Sequence, residues 1–315
     1  MALVGGIMKI GIVCNKEGMT FLNDILPVLS SKHHVEIVNE PFTFNRIYNV
    51  CKRVDVLFVE WIWNYIAISP FLRGNCRVVV RGHFTDLKDR RINHVDWNHV
   101  DLLIFTNDFL QDEFFNNHPR VKVASRVIRL GVNLDFYSLK PNKYDKTIGF
   151  VGFIKPVKDP LPVINMMKTL PDWKLILKST PSYSTILTNQ VAKIVSETRN
   201  VTWIKEWMPR INLPSFYHSL DILVNNSIAE GQGMAILEAM ACGVYPVIRH
   251  WKHAEELYPE QLLFNTIEEC RNKILEWGEL SDDEKRRISI SIRKYVNENY
   301  NGERYVKEMI EALFR

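Results

Sequence analysis

Residues 230–248 read EGQGMAILEAMACGVYPVI. Two glutamates, Glu230 and Glu238, stand eight positions apart among Gly231, Gly233 and Gly243. Met234 to Cys242 is a run of small and apolar residues at helical spacing, and 245–248 is a short β-type run. The segment therefore reads as a glycine-containing turn, a helix and a strand. A turn that opens a helix leaves the first backbone N–H groups without intrahelical acceptors, and the helix dipole favours an anion there. Glu230 falls in the turn, and Glu238 falls about one and a half turns into the helix. Two carboxylates beside an anion site suit a ligand that combines hydroxyls with phosphate, such as a nucleotide sugar.

Outward from this segment the chain alternates between strand-length and helix-length runs. In the second half, strands are predicted over 146–151, 173–178, 201–204, 222–225 and 245–248, and helices over 159–169 and 185–198. A helix over 282–299 and a last helix to residue 315 follow. The first half opens with the β-type run MKIGIVC, residues 8–14, and an apolar-periodic stretch over 20–30. Further strands are predicted over 35–38, 54–59, 77–80 and 102–106, with Val127-Ile128 before a turn at Gly131. This alternation predicts parallel sheets with helices on both faces. The polar segment 140–146, KPNKYDK, separates the two series and reads as a linker. The expected organisation is a first Rossmann-like domain over 1–140 on the acceptor side and a second, ligand-binding one over 146–299. The helix over 300–315 is expected to return to the first domain. Ligands in such sheets bind at the carboxyl ends of the strands, here in a cleft between the domains.

The composition fits a folded chain of two ordinary domains: 315 residues, 46% hydrophobic and 24% charged. A net charge of +4 is too mild to argue for nucleic acid. The basic excess lies in residues 1–146, with 19 basic and 15 acidic side chains, and the rest is balanced. A solvated surface accounts for it; an anionic acceptor or peripheral contact with an anionic membrane face would also use it. The five cysteines are scattered, without zinc spacing or a disulfide framework, and a reducing cytoplasm fits. Residues 1–10 are too short and weakly apolar for a signal peptide. The most apolar run, 54–72, is interrupted by Glu60, Asn64 and Pro70, so it reads as a buried strand and helix, not a membrane span.

The 230–248 segment resembles the sugar-donor motif of the family 4 retaining glycosyltransferases, which have the GT-B fold. Glu230, Glu238, Ala239-Met240-Ala241, Gly243, Pro246 and Val247 fit the pattern of two glutamates followed by Ala-Met-Ala-x-Gly-x-Pro-Val. Gln232 stands where the family usually has an aromatic. An ordinary strand–turn–helix with a charged start would not also place Gly243 and Pro246 in register. The resemblance extends over roughly residues 127–260. Gly131-Val132-Asn133 with Phe136 looks like the segment before the linker, 150–158 (FVGFIKPVK) like the family's Val-Gly-Arg-x-x-x-x-Lys, and 213–221 like the approach to the donor-site strand. The first half matches only in its α/β pattern, and Asn15-Lys-Glu-Gly18 stands where the family has a Gly-Gly loop.

The resemblance implies a two-domain GT-B enzyme that moves a sugar from a nucleotide-sugar donor to a hydroxyl, with retention and without a cofactor or bound metal. No Asp-x-Asp occurs in the sequence, so cationic side chains and backbone N–H groups must stabilise the leaving diphosphate. Lys158 is in register with the family's lysine for that role. Phe153 takes the place of its arginine, with Lys155 two residues on. Gly152 and Lys155 are counted with the donor-binding residues. Glu238 would take the ribose hydroxyls, Glu230 would lie near the sugar, and the backbone from Gly231 through Gly233 to Met234 would face the diphosphate. His83, at the end of the run VVVRGH, is where the family often places a histidine facing the donor sugar. Arg81 is a second possible anion contact. Asp86 and Asp108 fall in loops, but neither is singled out as a general base. Trp61, Trp63 and Tyr65 would form a sugar-stacking platform or core packing, and Lys88, Arg90 and Arg91 form a small basic patch. The acceptor is open: a glycan, a lipid-linked or a small molecule. Two other readings share these features, a GT-B nucleotide-sugar epimerase and a non-catalytic nucleotide-sugar-binding module. Phe153 favours the latter.

Overall fold

The computed structural model describes residues 6–16, 18–72, 76–87, 89–181 and 184–315. The chain divides into two compact units, Met1–Gly131 with Gly302–Arg315, and Val132–Asn301.

The first unit holds a parallel six-stranded sheet: β1 (Lys9–Val13), β2 (His34–Val38), β3 (Val56–Glu60), β4 (Arg77–Arg81), β5 (Leu102–Phe105) and β6 (Ser125–Val127). Its order is β2-β1-β3-β4-β5-β6. All five residues of β3 are buried, as a parallel strand covered on both faces requires. The covering helices are α1 (Ile25–Lys32), α2 (Phe44–Arg53), α3 (Ile62–Ile68) and α4 (Asp108–Asn117). The helix expected over 20–30 is split into a 3-10 turn, Gly18–Leu22, and α1. Pro27 explains the late start of α1, because proline is tolerated only in the first turn of a helix.

The second unit repeats the architecture with β7 (Thr147–Phe153), β8 (Lys174–Thr180), β9 (Val201–Ile204), β10 (Ile222–Asn225), β11 (Tyr245–Arg249) and β12 (Leu263–Phe264). Its strands are also parallel, in the order β12-β11-β10-β7-β8-β9. The helices are α5 (Pro160–Met166), α6 (Thr185–Ser196), α7 (Leu213–His218), α8 (Met234–Ala241), α9 (Ile267–Glu279) and α10 (Asp282–Asn299). Two apolar cores sandwich this sheet. One includes Leu220, Ile236, Leu237, Met240 and Ile292, and the other Val163, Leu175, Leu177, Val191 and Ile274. Strand order reverses between β7 and β10, and that switch point is where an open α/β sheet presents its ligand crevice.

Residues 132–140, expected in the first domain, belong to the second unit. Lys140 explains the correction: its buried ammonium bonds Asp221, and Arg293 takes the carbonyls of Leu134 and Tyr137. The last helix, α11 (Gly302–Phe314), belongs to the first unit, where the Tyr305 hydroxyl accepts from Arg81. Among the described residues, no helix is long and apolar enough to cross a membrane.

Candidate functional site

In the second unit, the loops after β7 and β10 meet at the switch point. After β10 the chain turns through Ser227, Glu230 and Gln232 into Gly233, whose φ of 69° lies in the left-handed region. That conformation favours glycine, and a Cβ there would fall 2.8 Å from Ile236 Cδ1 and 3.1 Å from the Tyr258 hydroxyl, so a larger residue would also have to shift these groups. Tyr258 is buried and its hydroxyl donates to the Gln232 carbonyl, which holds the turn from below. The N–H groups of Met234 and Ala235, first in α8, have no intrahelical acceptor, the arrangement that lets a helix end take an anion.

The loop after β7 leaves Gly152 with φ 151° and makes a 3-10 turn at Pro156–Lys158. The Lys158 stem crosses Gly152, with Cε 3.5 Å from where a Cβ would stand. The Lys158 ammonium bonds the Glu230 carboxylate. The same carboxylate oxygen accepts from Ser227 Oγ at 2.8 Å. Two further bonds join the loops, the Ile228 N–H to the Val157 carbonyl at 2.8 Å and Asn226 Nδ2 to the Asp159 carbonyl at 2.7 Å, and Arg249 at the end of β11 donates to the Asp159 carboxylate at 2.8 Å. The cation on the first loop and the carboxylate on the second are thereby set on one frame. Lys155 is not part of it. Its ammonium lies 5.0 Å from the centroid of the exposed Phe153 ring.

Glu238 is half-buried on α8, and its carboxylate accepts from the Tyr217 hydroxyl at 2.8 Å. Burial, and then the Glu238 charge, push the Tyr217 phenol well above its ordinary range, so Tyr217 stays a donor to Glu238. The second unit thus brings Lys158, Glu230, Gly152, Gly231, Gly233, Met234 and Glu238 to neighbouring loops and one helix. Asp159, Arg249 and Tyr217 were not singled out from the sequence. Asp159 and Arg249 are adjacent to recognised features, Lys158 and the end of the Pro246–Ile248 run, whereas nothing local marks Tyr217.

In the first unit the strand ends carry a closed polar cluster. Glu60 and Arg81 are fully buried; the guanidinium Nε donates to Glu60 at 2.9 Å, and Nη2 pairs with its other oxygen. Arg81 is therefore not an available anion contact, contrary to expectation. Burial alone would raise the Glu60 carboxyl, but Arg81 and His83 outweigh it and hold it below its ordinary value. His83 Nε2 lies 2.5 Å from Glu60, and the Asp86 backbone N–H donates to the His83 carbonyl at 2.9 Å. One ring nitrogen of His83 is therefore engaged by Glu60 within the cluster.

Asp86, expected in a loop, is buried and accepts the N–H groups of His83, Ile62 and Trp63 at 2.8–3.3 Å. Burial pushes its carboxyl up to about 6 against the His83 charge and these bonds. Trp61 stacks on His83 at 4.2 Å and Tyr65 is buried with its hydroxyl on the Asp96 carbonyl, so these aromatics pack internally. Arg90 and Arg91 are exposed, with Arg91 paired to Asp89; Lys88 lies outside the described residues. Asp108 opens α4, 3.8 Å from Arg129. Asn15 Oδ1 caps the N–H of Gly18 at 2.9 Å in the loop that replaces Gly-Gly. No group of three or more His, Cys, Asp or Glu among the described residues could hold a metal ion.

Residues 133–258 match the model of the family described as glycosyl transferases group 1. A D-inositol 3-phosphate glycosyltransferase of Mycobacterium marinum is 27% identical over 165 residues, 47% of this chain and 34% of that protein. A glycosyltransferase 1 domain-containing protein 1 of Xenopus tropicalis is 30% identical over 160 residues, 48% of this chain and 45% of that protein. The matches thus span less than half the length of these relatives. Among solved structures, HepE of Anabaena with UDP and glucose superposes with a TM-score of 0.78 at 16% identity, covering 97% of this chain and 99% of that one. Sucrose-phosphate synthase of Thermosynechococcus elongatus gives 0.76 at 14% identity, covering 97% and 98%. The two parallel six-stranded α/β sheets are those of the GT-B fold.

Proposed function

We propose, from the match of residues 133–258 to the glycosyl transferases group 1 model, that this chain is a retaining glycosyltransferase that moves a sugar from a nucleotide-sugar donor to an acceptor hydroxyl without a bound metal. The observation that carries the reading is the Lys158–Glu230 pair beside the head of α8, with Glu238 on that helix. Lys158 and the first N–H groups of α8 take the diphosphate, and Glu238 takes the ribose hydroxyls. Glu230 holds Lys158 in place and lies near the sugar. In the reaction the bond from the anomeric carbon to the phosphate oxygen breaks, and the acceptor oxygen bonds that carbon on the same face. The acceptor proton passes to the leaving phosphate oxygen, so no side chain need act as base. Negative charge grows on the diphosphate as it leaves, and a positioned cation stabilises that state more than the ground state.

The test is release of nucleoside diphosphate from a panel of nucleotide sugars, each with glycan, lipid-linked and small-molecule acceptors. UDP-glucose is the first donor to try, because the HepE structure holds it in that protein. New glycoside with the anomeric configuration of the donor supports the reading, and inverted product opposes it. Phe153 in the usual arginine position favours a second reading, a non-catalytic nucleotide-sugar-binding module. Tight binding with no release from any donor would support it. Interconversion of free nucleotide sugars without an acceptor would mark an epimerase.

A further inference from the structure

Lys178 occupies a place in the sheet where an apolar residue would be expected. Leu175 and Leu177 of β8 face one core, and Ile176 packs on the other, the face of α7 and α8. Strand alternation puts Lys178 on the face of Ile176. It is only 8% exposed, and its ammonium makes no hydrogen bond or ion pair among the described residues. The side chain is largely enclosed, but its ammonium is not among the fully buried unsatisfied polar atoms, so a ligand at the strand ends can reach it. Burial lowers its pKa, partly offset by the charge of Glu206 in the loop after β9.

The register places Lys178 level with Val151, one residue before Gly152, and with Ile204, the last residue of β9. It therefore stands at the carboxyl ends of the strands. Along the order β10-β7-β8 it lies two strands from β10, about 10 Å. Glu238, on the helix that follows β10, is held by Tyr217 of α7. The carboxylate thus meets the helix that connects β9 to β10. A nucleoside with its diphosphate at Lys158 and its ribose on Glu238 then extends its base over β8 and β9. The loop after β9 offers Trp207, 72% exposed, as a flat surface on which a base can stack.

We propose that Lys178 reads the nucleobase of the donor: its ammonium donates to a keto oxygen on the edge of the base away from the ribose, so the site takes keto bases in preference to their amino counterparts. This rests on the donor-site reading above. A cation can donate to the O4 of uracil or the O6 of guanine, whereas the amino groups of cytosine and adenine at those positions present donors to it.

Titration calorimetry with UDP, CDP, GDP and ADP tests this on the wild type, Lys178→Met and Glu238→Ala. UDP should bind about ten-fold or more tighter than CDP, or GDP than ADP, in whichever ring class the site accepts, the size of one charged hydrogen bond. In Lys178→Met that ratio should fall below about three-fold, chiefly through weaker binding of the keto nucleotide. Equal affinity for keto and amino partners in the wild type overturns the proposal, and this comparison does not depend on the variant folding. A Lys178→Met variant that weakens all four alike also overturns it, because the lysine would then be meeting phosphate. If none of the four binds, or Glu238→Ala binds as the wild type does, the donor-site reading fails and the base contact with it.

Discussion

The ammonium of Lys158 rests on the carboxylate of Glu230, although the two residues come from loops that follow different strands of the second unit. Both are mostly shielded, with side-chain exposures of 21% and 14%. The pair holds the cation over Gly152. Preorganisation of this kind is what a transition-state cation needs, because misplacing a catalytic group by about 1 Å can cost on the order of 10²-fold in rate.

Glu230→Gln keeps the shape of the side chain but loosens its grip on the ammonium. We expect kcat to fall about 10- to 100-fold with a smaller change in the donor KM. Steady-state kinetics on the purified variant decide the matter. A variant with unchanged kcat would show that Lys158 finds its place without Glu230.

Glu238→Ala should weaken nucleoside diphosphate binding by about 1–3 kcal/mol, the cost of losing a charged hydrogen-bond partner. Tyr217→Phe should weaken it less, because the phenol only orients the carboxylate. Calorimetry on both variants gives the order, and equal losses would mean that the phenol itself touches the ligand.

Asp86 gives the first unit a pH dependence of defined sign. Its carboxyl is pushed up to about 6 in the fold, from an ordinary value of 3.8. Above about pH 6 the buried charge costs stability, and between about 6 and 4 the folded state takes up the proton and recovers it. The full swing is on the order of 3 kcal/mol. The unfolding free energy of the wild type minus that of Asp86→Asn should therefore rise as pH falls from 7 to 4.5. A flat difference across that range would refute the assignment.

If Lys158 and the α8 N–H groups carry the charge of the leaving diphosphate, as proposed, chelation should leave transfer intact. Loss of activity in EDTA, restored by magnesium or manganese, would assign that charge to a metal.

The α/β alternation and the turn–helix unit at 230–248 were legible because they are local: glycines at a turn, helical spacing and short β-type runs. Glu230 and Lys158 could each be picked from motifs, yet only the fold shows that they touch. The first unit was read less well. Arg81, His83 and Asp86 stand at strand ends, where polar residues usually meet ligands, and their partners Glu60 and Tyr305 lie far off in sequence. No spacing rule reveals that these groups bond one another. The boundary at 131 was missed for a similar reason, since Lys140 looks like linker until Asp221 is beside it. Lys178 sat inside a strand that was recognised, but its lack of a partner among the described residues is visible only in three dimensions.

The central claim is that Lys158 carries the charge of a leaving diphosphate, and turnover of Lys158→Ala tests it most directly. With Phe153 in place of the usual arginine, Lys158 should bear more of that burden than it does where both cations are present. With a donor that the wild type turns over, kcat should fall on the order of 10²-fold or more, the size seen when one electrostatic stabiliser is removed, and the donor KM should change less. Near-normal turnover in a folded Lys158→Ala variant would contradict the account.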